Sequence, residues 1–292
     1  MPAEDVPTGE EAVINAVPVP ADVSDRDRAD VDVLYRISVA VERVFRDIAD
    51  SPHRADVVGM GASGSPTEEI DRLAEAEILK ILHEEGVDWD LVSEEVGAVP
   101  RGGGRTLVVD PIDGTHNALR NLPLTTVSLA LGRKDLAGID IGLVRDLYRG
   151  TTYWATRGGG AFRDGRPIRT RPWNQKSEMV FVNLGQHATD RASRLARRAR
   201  RIRSLGCASL EMIAVAEGAG DAYVFENSPG TRNLRATDIA AAYRIVTEAG
   251  GGVWDIGGQS LESFPITVEQ RTSVFAWGDL AFARAANREG YL

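Results

Sequence analysis

Two carboxylates three residues apart, Asp110 and Asp113, stand in the run Asp110-Pro111-Ile112-Asp113-Gly114-Thr115, directly after the apolar stretch Thr106-Leu107-Val108-Val109. The apolar residues predict a strand, and Pro111 denies Asp110 the helical region, so that strand stays extended to its last residue. Gly114 lets the backbone approach a ligand closely, and a segment able to be helical, His116 to Leu119, follows. The amides of Gly114 and Thr115 then lie at a helix N-terminus, where anions bind. Paired carboxylates beside such amides make sense when a divalent cation lies between them and bridges to a phosphate. Standing alone, an Asp-x-x-Asp-Gly sequence is more often a turn cap.

It does not stand alone. Upstream is Ser93-Glu94-Glu95 after an apolar run. Downstream, Ala236-Thr237-Asp238-Ile239-Ala240-Ala241 opens a helix that ends Glu248-Ala249-Gly250-Gly251. Together these pieces resemble the inositol monophosphatase family, part of the Mg²⁺-dependent, lithium-sensitive sugar phosphatases, from about Val57 to Trp277. Val57-Val58-Gly59, Ser93 to Gly97, Leu205 to Met212 and Leu234 to Ala240 read like its archaeal branch, which hydrolyses both inositol 1-phosphate and fructose 1,6-bisphosphate.

The resemblance implies a mixed α+β or α/β chain with the layered αβαβα sugar-phosphatase fold. It implies a first Mg²⁺ on Glu94, Asp110 and the Ile112 carbonyl, and a second on Asp110, Asp113 and Asp238. Two or three ions are expected in all, with Mn²⁺ as a substitute. Glu95 is expected behind the ligands, since neighbouring side chains on an extended strand point opposite ways. Asp71 is expected to accept a proton or hydrogen bond from Thr115, which orients the attacking water, although alone it would read as an acid at a helix N-terminus. The Gly114 and Thr115 amides are expected to hold the phosphate, and Cys207 to lie near the substrate.

Where the family often places an acid against sugar hydroxyls, this chain has Phe225, with Glu226 one step later. Arg232 and Arg235 suit a remote phosphate or hydroxyl contact, or equally a surface ion pair. The glycine-rich loop Gly59 to Pro66 lacks the Gly-Lys-Ser/Thr of a P-loop. In the family it is a mobile loop closing on metal and substrate, but Ala62 and Ser63 replace its usual Lys or Asp. A cytoplasmic homodimer acting on a small phosphate ester is implied. Phosphatases of the family for a nucleotide 3′-phosphate or NADP would share every ligand, whereas a non-enzymatic protein on this fold would be expected to have lost some.

The elements that must position these residues are legible in part. Leu34, Ile37, Val41, Val44, Phe45 and Ile48 predict a helix over 30–50, and Ile70, Leu73, Ala74, Ile78, Ile81 and Leu82 a second one to Glu85, capped by Thr67. Strands are expected over 125–132, 139–144 and 151–155, with a hairpin turn at Asp164-Gly165. Beyond a composition shift near Pro172, strands and helices alternate, the helix from Thr237 to Ala249 carrying Asp238. This gives a loosely attached tail over 1–30, a first domain over 31–172 and a second over 173–292.

Of 292 residues, 43% are apolar and 26% charged, ordinary for a soluble globular chain. No apolar run is long enough to span a membrane, and the acidic N-terminus is not a secretory signal. One cysteine excludes an internal disulfide and fits a reducing cytoplasm. A net charge of −9 argues against general nucleic-acid binding. Arg191 to Arg203 carries seven arginines, but it has no aromatic residue to stack bases and reads as a solvated helix face or subunit contact.

Overall fold

The computed structural model describes residues 18–20, 23–231 and 233–290. In chain order the first half contains α1 (Asp25–Ile48), β1 (Val57–Met60), β2 (Pro66–Glu68), α2 (Glu69–Glu84), β3 (Asp90–Ser93), β4 (Gly97–Val99), β5 (Thr106–Asp113) and α3 (Thr115–Ala118). It continues with β6 (Thr126–Gly132), β7 (Ile139–Asp146), β8 (Thr152–Thr156), β9 (Gly160–Arg163) and β10 (Arg166–Ile168). The second half holds β11 (Val180–Val182), α4 (Asp190–Arg198), β12 (Ile202–Arg203), α5 (Ala208–Ala216) and β13 (Ala222–Phe225). It ends with α6 (Ala236–Glu248), β14 (Gly252–Trp254), β15 (Val274–Trp277) and α7 (Leu280–Arg288).

Strands β3 to β10 form one eight-stranded sheet in the order β10-β9-β8-β7-β6-β5-β3-β4, and β11 to β15 a five-stranded sheet in the order β12-β11-β13-β15-β14. Side-chain alternation sorts both sheets into layers. Leu107 and Val109 of β5 face α1 and α2 across one apolar core, while Val108 between them faces α5 and α6 across another. On β13, Tyr223 joins that middle core, whereas Ala222 and Val224 pack with Leu195 of α4 and Phe282 of α7 in a third. The result is the expected αβαβα stack.

Two expectations change here. The chain does not become ordered near Val31. Ser24 accepts the Asp27 amide at 3.1 Å and caps α1 at Asp25, Val23 is buried, and Asp30 pairs with Arg105 at 2.8 Å. The proposed tail over 1–30 is therefore part of the fold from Val23 onward, and residues 1–17 lie outside the described ones. Thr67, expected to cap α2, lies instead on β2 with its hydroxyl on the Glu95 carboxylate; Glu68 takes the cap position, its amide donating to Asp71 Oδ2 at 3.3 Å. The gap between β10 and β11 spans residue 172, yet the middle core is shared by both halves, Val108 and Val144 with Tyr223 and Val274.

Helix α6 lies in that middle layer with Ala240, Ala241 and Ala242 fully buried. It meets the large sheet backbone to backbone, because a Cβ at Gly142 on β7 would stand 2.3 Å from the Ala241 carbonyl oxygen.

Candidate active site

Three elements converge at one end of the large sheet. β3 and β5 run parallel with Ser93 opposite Val109, so Glu94 and Asp110 leave adjacent strands side by side. On its other edge β5 pairs antiparallel with β6, and the register slips: Asp110 opposes Ser128 and Asp113 opposes Thr126, leaving Pro111 and Ile112 against Val127 alone. Residues three apart on a regular strand face opposite ways; this bulge supplies the extra residue that returns Asp113 to the side of Asp110. Gly114 then turns the chain at φ 88°, where any Cβ would stand 2.8 Å from the Leu124 carbonyl. The helical segment expected over 116–119 begins one residue sooner, at Thr115. The third element is α6, whose first turn presents Asp238 while its Oδ2 accepts the Arg235 amide at 2.6 Å.

One carboxylate oxygen from each of Glu94, Asp110 and Asp238 lies within 4.8 Å of the other two. Asp113 is beside this trio but not one of it. Its two oxygens accept the amides of Ala208 at 3.2 Å and Ser209 at 2.7 Å, and the Ser209 hydroxyl at 2.5 Å. The adjoining cleft, about 440 Å³, is lined by Glu68, Asp71, Glu94, Glu95, Thr115 and His116 among others. Thr115 Oγ1 lies 2.9 Å from the Ile112 carbonyl and 3.3 Å from Asp71 Oδ1, so the hydroxyl proton has a choice of two acceptors.

The electrostatics are one-sided. Burial, then the Glu94 charge, pushes Asp110 well above the usual carboxylate range and Asp238 up to about 7. Burial, then Glu95, raises Asp71 to about 9. Burial also raises Asp113, against the hydrogen bonds from Ser209 and Ala208 that favour its charged form. Among the described residues, the counter-charge paired with the trio is the Arg235 guanidinium, 2.9 Å from Glu94 Oε1. Buried carboxylates with so little compensation call for cationic charge, and an all-oxygen donor set suits a hard divalent ion. The residues fit a metal.

Other expected contacts fall elsewhere. Cys207 is 1% exposed, behind Asp113, with its Sγ 3.5 Å from the Asp113 carbonyl; Gly206, one residue earlier, lines the cleft instead. Glu226 accepts the Thr189 hydroxyl at 2.5 Å and lies 3.9 Å from Arg191, bracing the Thr189 cap of α4 rather than joining the carboxylates. Arg235 is engaged by Glu94 and by the Ser63 carbonyl. Arg232 lies outside the described residues. The partners that sequence reasoning missed are Ser209 and the Ala208 amide; only the start of α5 just after Gly206 hinted at donors there. Of the seven-arginine stretch, Arg191, Arg194, Arg197 and Arg198 lie on α4 with Ala192 and Leu195 buried and Arg198 bound to Glu178 and Glu289, whereas Arg200, Arg201 and Arg203 lie beyond the helix, Arg203 on β12.

A sequence profile of the inositol monophosphatase family matches residues 23–289. The chain belongs to that family. As a member of this metal-dependent family, it is a phosphoric monoester hydrolase. The fructose-1,6-bisphosphatase/inositol-1-monophosphatase of Methanothermobacter thermautotrophicus is 33% identical over 264 residues, covering 85% of this chain and 91% of that one. The enzyme of the same description from Archaeoglobus fulgidus is 35% identical over 237 residues, 80% and 88% of the two chains. A bifunctional NADP phosphatase/NAD kinase of Methanococcus maripaludis is 31% identical over 274 residues, 86% of this chain but 47% of that longer one. Among solved structures, an inositol monophosphatase–fructose 1,6-bisphosphatase superposes with a TM-score of 0.75 at 26% identity, covering 90% of this chain and 98% of that one. No helix among the described residues is long and apolar enough to cross a membrane.

Proposed function

We propose that this phosphatase hydrolyses fructose 1,6-bisphosphate and inositol 1-phosphate with Mg²⁺, two or three ions, held by Glu94, Asp110, Asp113, Asp238 and the Ile112 carbonyl. The observation carrying the reading is the convergence of Glu94, Asp110 and Asp238 from three separate elements. When bound there, divalent ions would supply a water of lowered pKa and neutralise phosphate charge. The chain's own residues do the rest. With its proton on Asp71, 3.3 Å away, rather than on the Ile112 carbonyl, the Thr115 hydroxyl would have its lone pairs free to accept a hydrogen bond from the attacking water. The Gly114 and Thr115 amides hold the phosphate at the cleft mouth. Asp113, whose oxygens already accept three hydrogen bonds, would contribute negative charge from a fixed position and help hold an ion.

The family resemblance also supports a cytoplasmic homodimer, and light scattering on the purified chain would check the dimer. Release of inorganic phosphate from fructose 1,6-bisphosphate, inositol 1-phosphate and NADP, each with Mg²⁺, tests the substrate. The expected result is turnover of the first two. The Methanococcus maripaludis relative motivates one competing reading: turnover of NADP alone would replace this proposal with it.

A further inference from the structure

Arg235 is 3% exposed, and its three nitrogens are treated unequally. Nη1 donates to Glu94 Oε1 at 2.9 Å, Nη2 donates to the Ser63 carbonyl at 2.7 Å, and Nε is buried with no partner among the described residues. The Ser63 carbonyl also accepts Arg271 Nη2 at 3.2 Å, and Arg271 Nη1 donates to the Asn233 carbonyl at 2.8 Å. From the other side the loop 61–65 lies on the backbone of the acidic pair: the Ala62 amide donates to the Glu95 carbonyl at 2.8 Å and the Ser63 amide to that of Glu94 at 3.0 Å. There is little slack, since a Cβ at Gly61 would meet Glu95 Oε2 at 2.7 Å, and one at Gly97 would meet the Ala62 side chain at 2.9 Å.

A buried guanidinium with an orphaned N–H is poor cement, because an unmade bond there is a penalty. Its geometry makes sense as a bridge. Glu94 Oε1 is taken by Arg235, which leaves Oε2 facing no donor among the described residues and available to a cation. The same fork reaches the loop, a span that a lysine's single ammonium does not reproduce.

We infer that Arg235 is a positioning residue: it fixes the Glu94 carboxylate and, seconded by Arg271, fastens the loop 61–65 over it, so that cation binding and seating of the loop are coupled. The coupling is reciprocal, as linkage requires. A cation on Oε2 holds Glu94 in the orientation Arg235 needs, and a seated loop holds Arg235 where Glu94 needs it. Ala62 and Ser63 thus act through backbone groups, without a ligand side chain of their own. The inference rests on the metal-site reading above.

Hydrogen exchange of the segment 61–65 in the full chain, with and without Mg²⁺ and beside melting curves, tests it without any substrate. In the wild type, Mg²⁺ should raise the melting temperature and slow exchange of the segment about tenfold or more. Arg235→Met should still melt higher with Mg²⁺, while its segment exchanges fast whether or not the ion is present. Arg235→Lys should keep that fast exchange, and Arg271→Met, which retains the Glu94 contact, should show a smaller response than wild type. Should Arg235→Met not fold, Arg271→Met carries the test alone. Segment protection in Arg235→Met or Arg271→Met equal to wild type overturns the coupling. So does a wild type whose melting temperature rises with Mg²⁺ while its segment is unaffected. No effect of Mg²⁺ on the wild type by either measure overturns the coupling and the metal-site reading together.

Discussion

Ser209 holds Asp113 twice, through its amide at 2.7 Å and its hydroxyl at 2.5 Å, across 96 residues of sequence. The same hydroxyl lies 2.6 Å from Thr126 Oγ1, and Thr126 is the residue that opposes Asp113 in the register between β5 and β6. The turn after β5 is thereby tied to the start of α5. Asp113 is thus a clasp between the halves and, on the proposed reading, charge for the site as well.

Ser209→Ala should destabilise the metal-free protein by about 1.5–3 kcal/mol, the range for a hydrogen bond to a charged group. Urea unfolding in EDTA measures it. A change within about 0.5 kcal/mol, as for an indifferent surface substitution, would mean that the clasp contributes nothing.

The site carboxylates should separate under neutralisation. Asp110 accepts one amide, that of Ile112 at 3.1 Å, and is pressed by like charges. Asp110→Asn should therefore be as stable as wild type in EDTA, or more so, while losing several kcal/mol of transition-state stabilisation, roughly the scale of a lost metal-based electrostatic contribution. Asp113→Asn should be inactive and also less stable, because its new NH₂ group faces donors from Ala208 and Ser209. Melting curves beside phosphate release distinguish the two; an active Asp110→Asn enzyme would remove Asp110 from the site.

Thr115→Val should leave the melting temperature nearly unchanged, since among the described residues the hydroxyl reaches Ile112 and Asp71 alone, at the cleft. Its kcat should fall by about 10²-fold or more, the lower end of proton-transfer contributions. Equal loss in Thr115→Ser, which keeps the hydroxyl, would show that the methyl group matters instead.

Stability of the metal-free protein should fall as pH rises. Burial lifts Glu95 and Glu211 from 4.5 to about 7, and lifts Asp71, Asp110 and Asp238 as well. A carboxyl whose folded pKa exceeds its unfolded one binds more protons when folded. Its neutral form is favoured below the unfolded value, and the protein loses stability progressively up to the folded value. For Glu211 alone that shift is on the order of 3 kcal/mol between about pH 4.5 and 7. Urea midpoints in EDTA across that window should decline, and Mg²⁺ should flatten the decline by neutralising Asp110 and Asp238. A rising midpoint would contradict the charge crowding.

The sequence displayed the residues whose meaning is local. Thr106 to Thr115 announces its own strand, turn and carboxylates, and α6 is visible from its apolar stripe and Gly250 stop. Ser209 was invisible as a partner because its role depends on the register of β5 with β6 and on where α5 begins. Arg235 was ambiguous for the same reason: an arginine before a helix is equally apt for substrate, solvent or Glu94, and the choice is made by a loop 172 residues earlier. The beginning of α1 was missed because its apolar periodicity starts at Val31, while Ser24 and two acids extend it by capping. Helix α7 was not foreseen, although Phe282, Ala283, Ala285 and Ala286 form a buried face on it; its nine residues are too few for the period to stand out.

The bare contact of Gly142 with Ala241 gives the sheet interior authority over the cleft. Asp238 precedes Ala241 by less than one helical turn, so anything that lifts α6 off β7 displaces Asp238 along with it. A single added methyl at Gly142 would do so, since no side chain intervenes to yield. Scored by lost activity alone, such a variant would count as a lesion of the acidic centre. Yet it would alter no polar atom and sit in the middle of a strand.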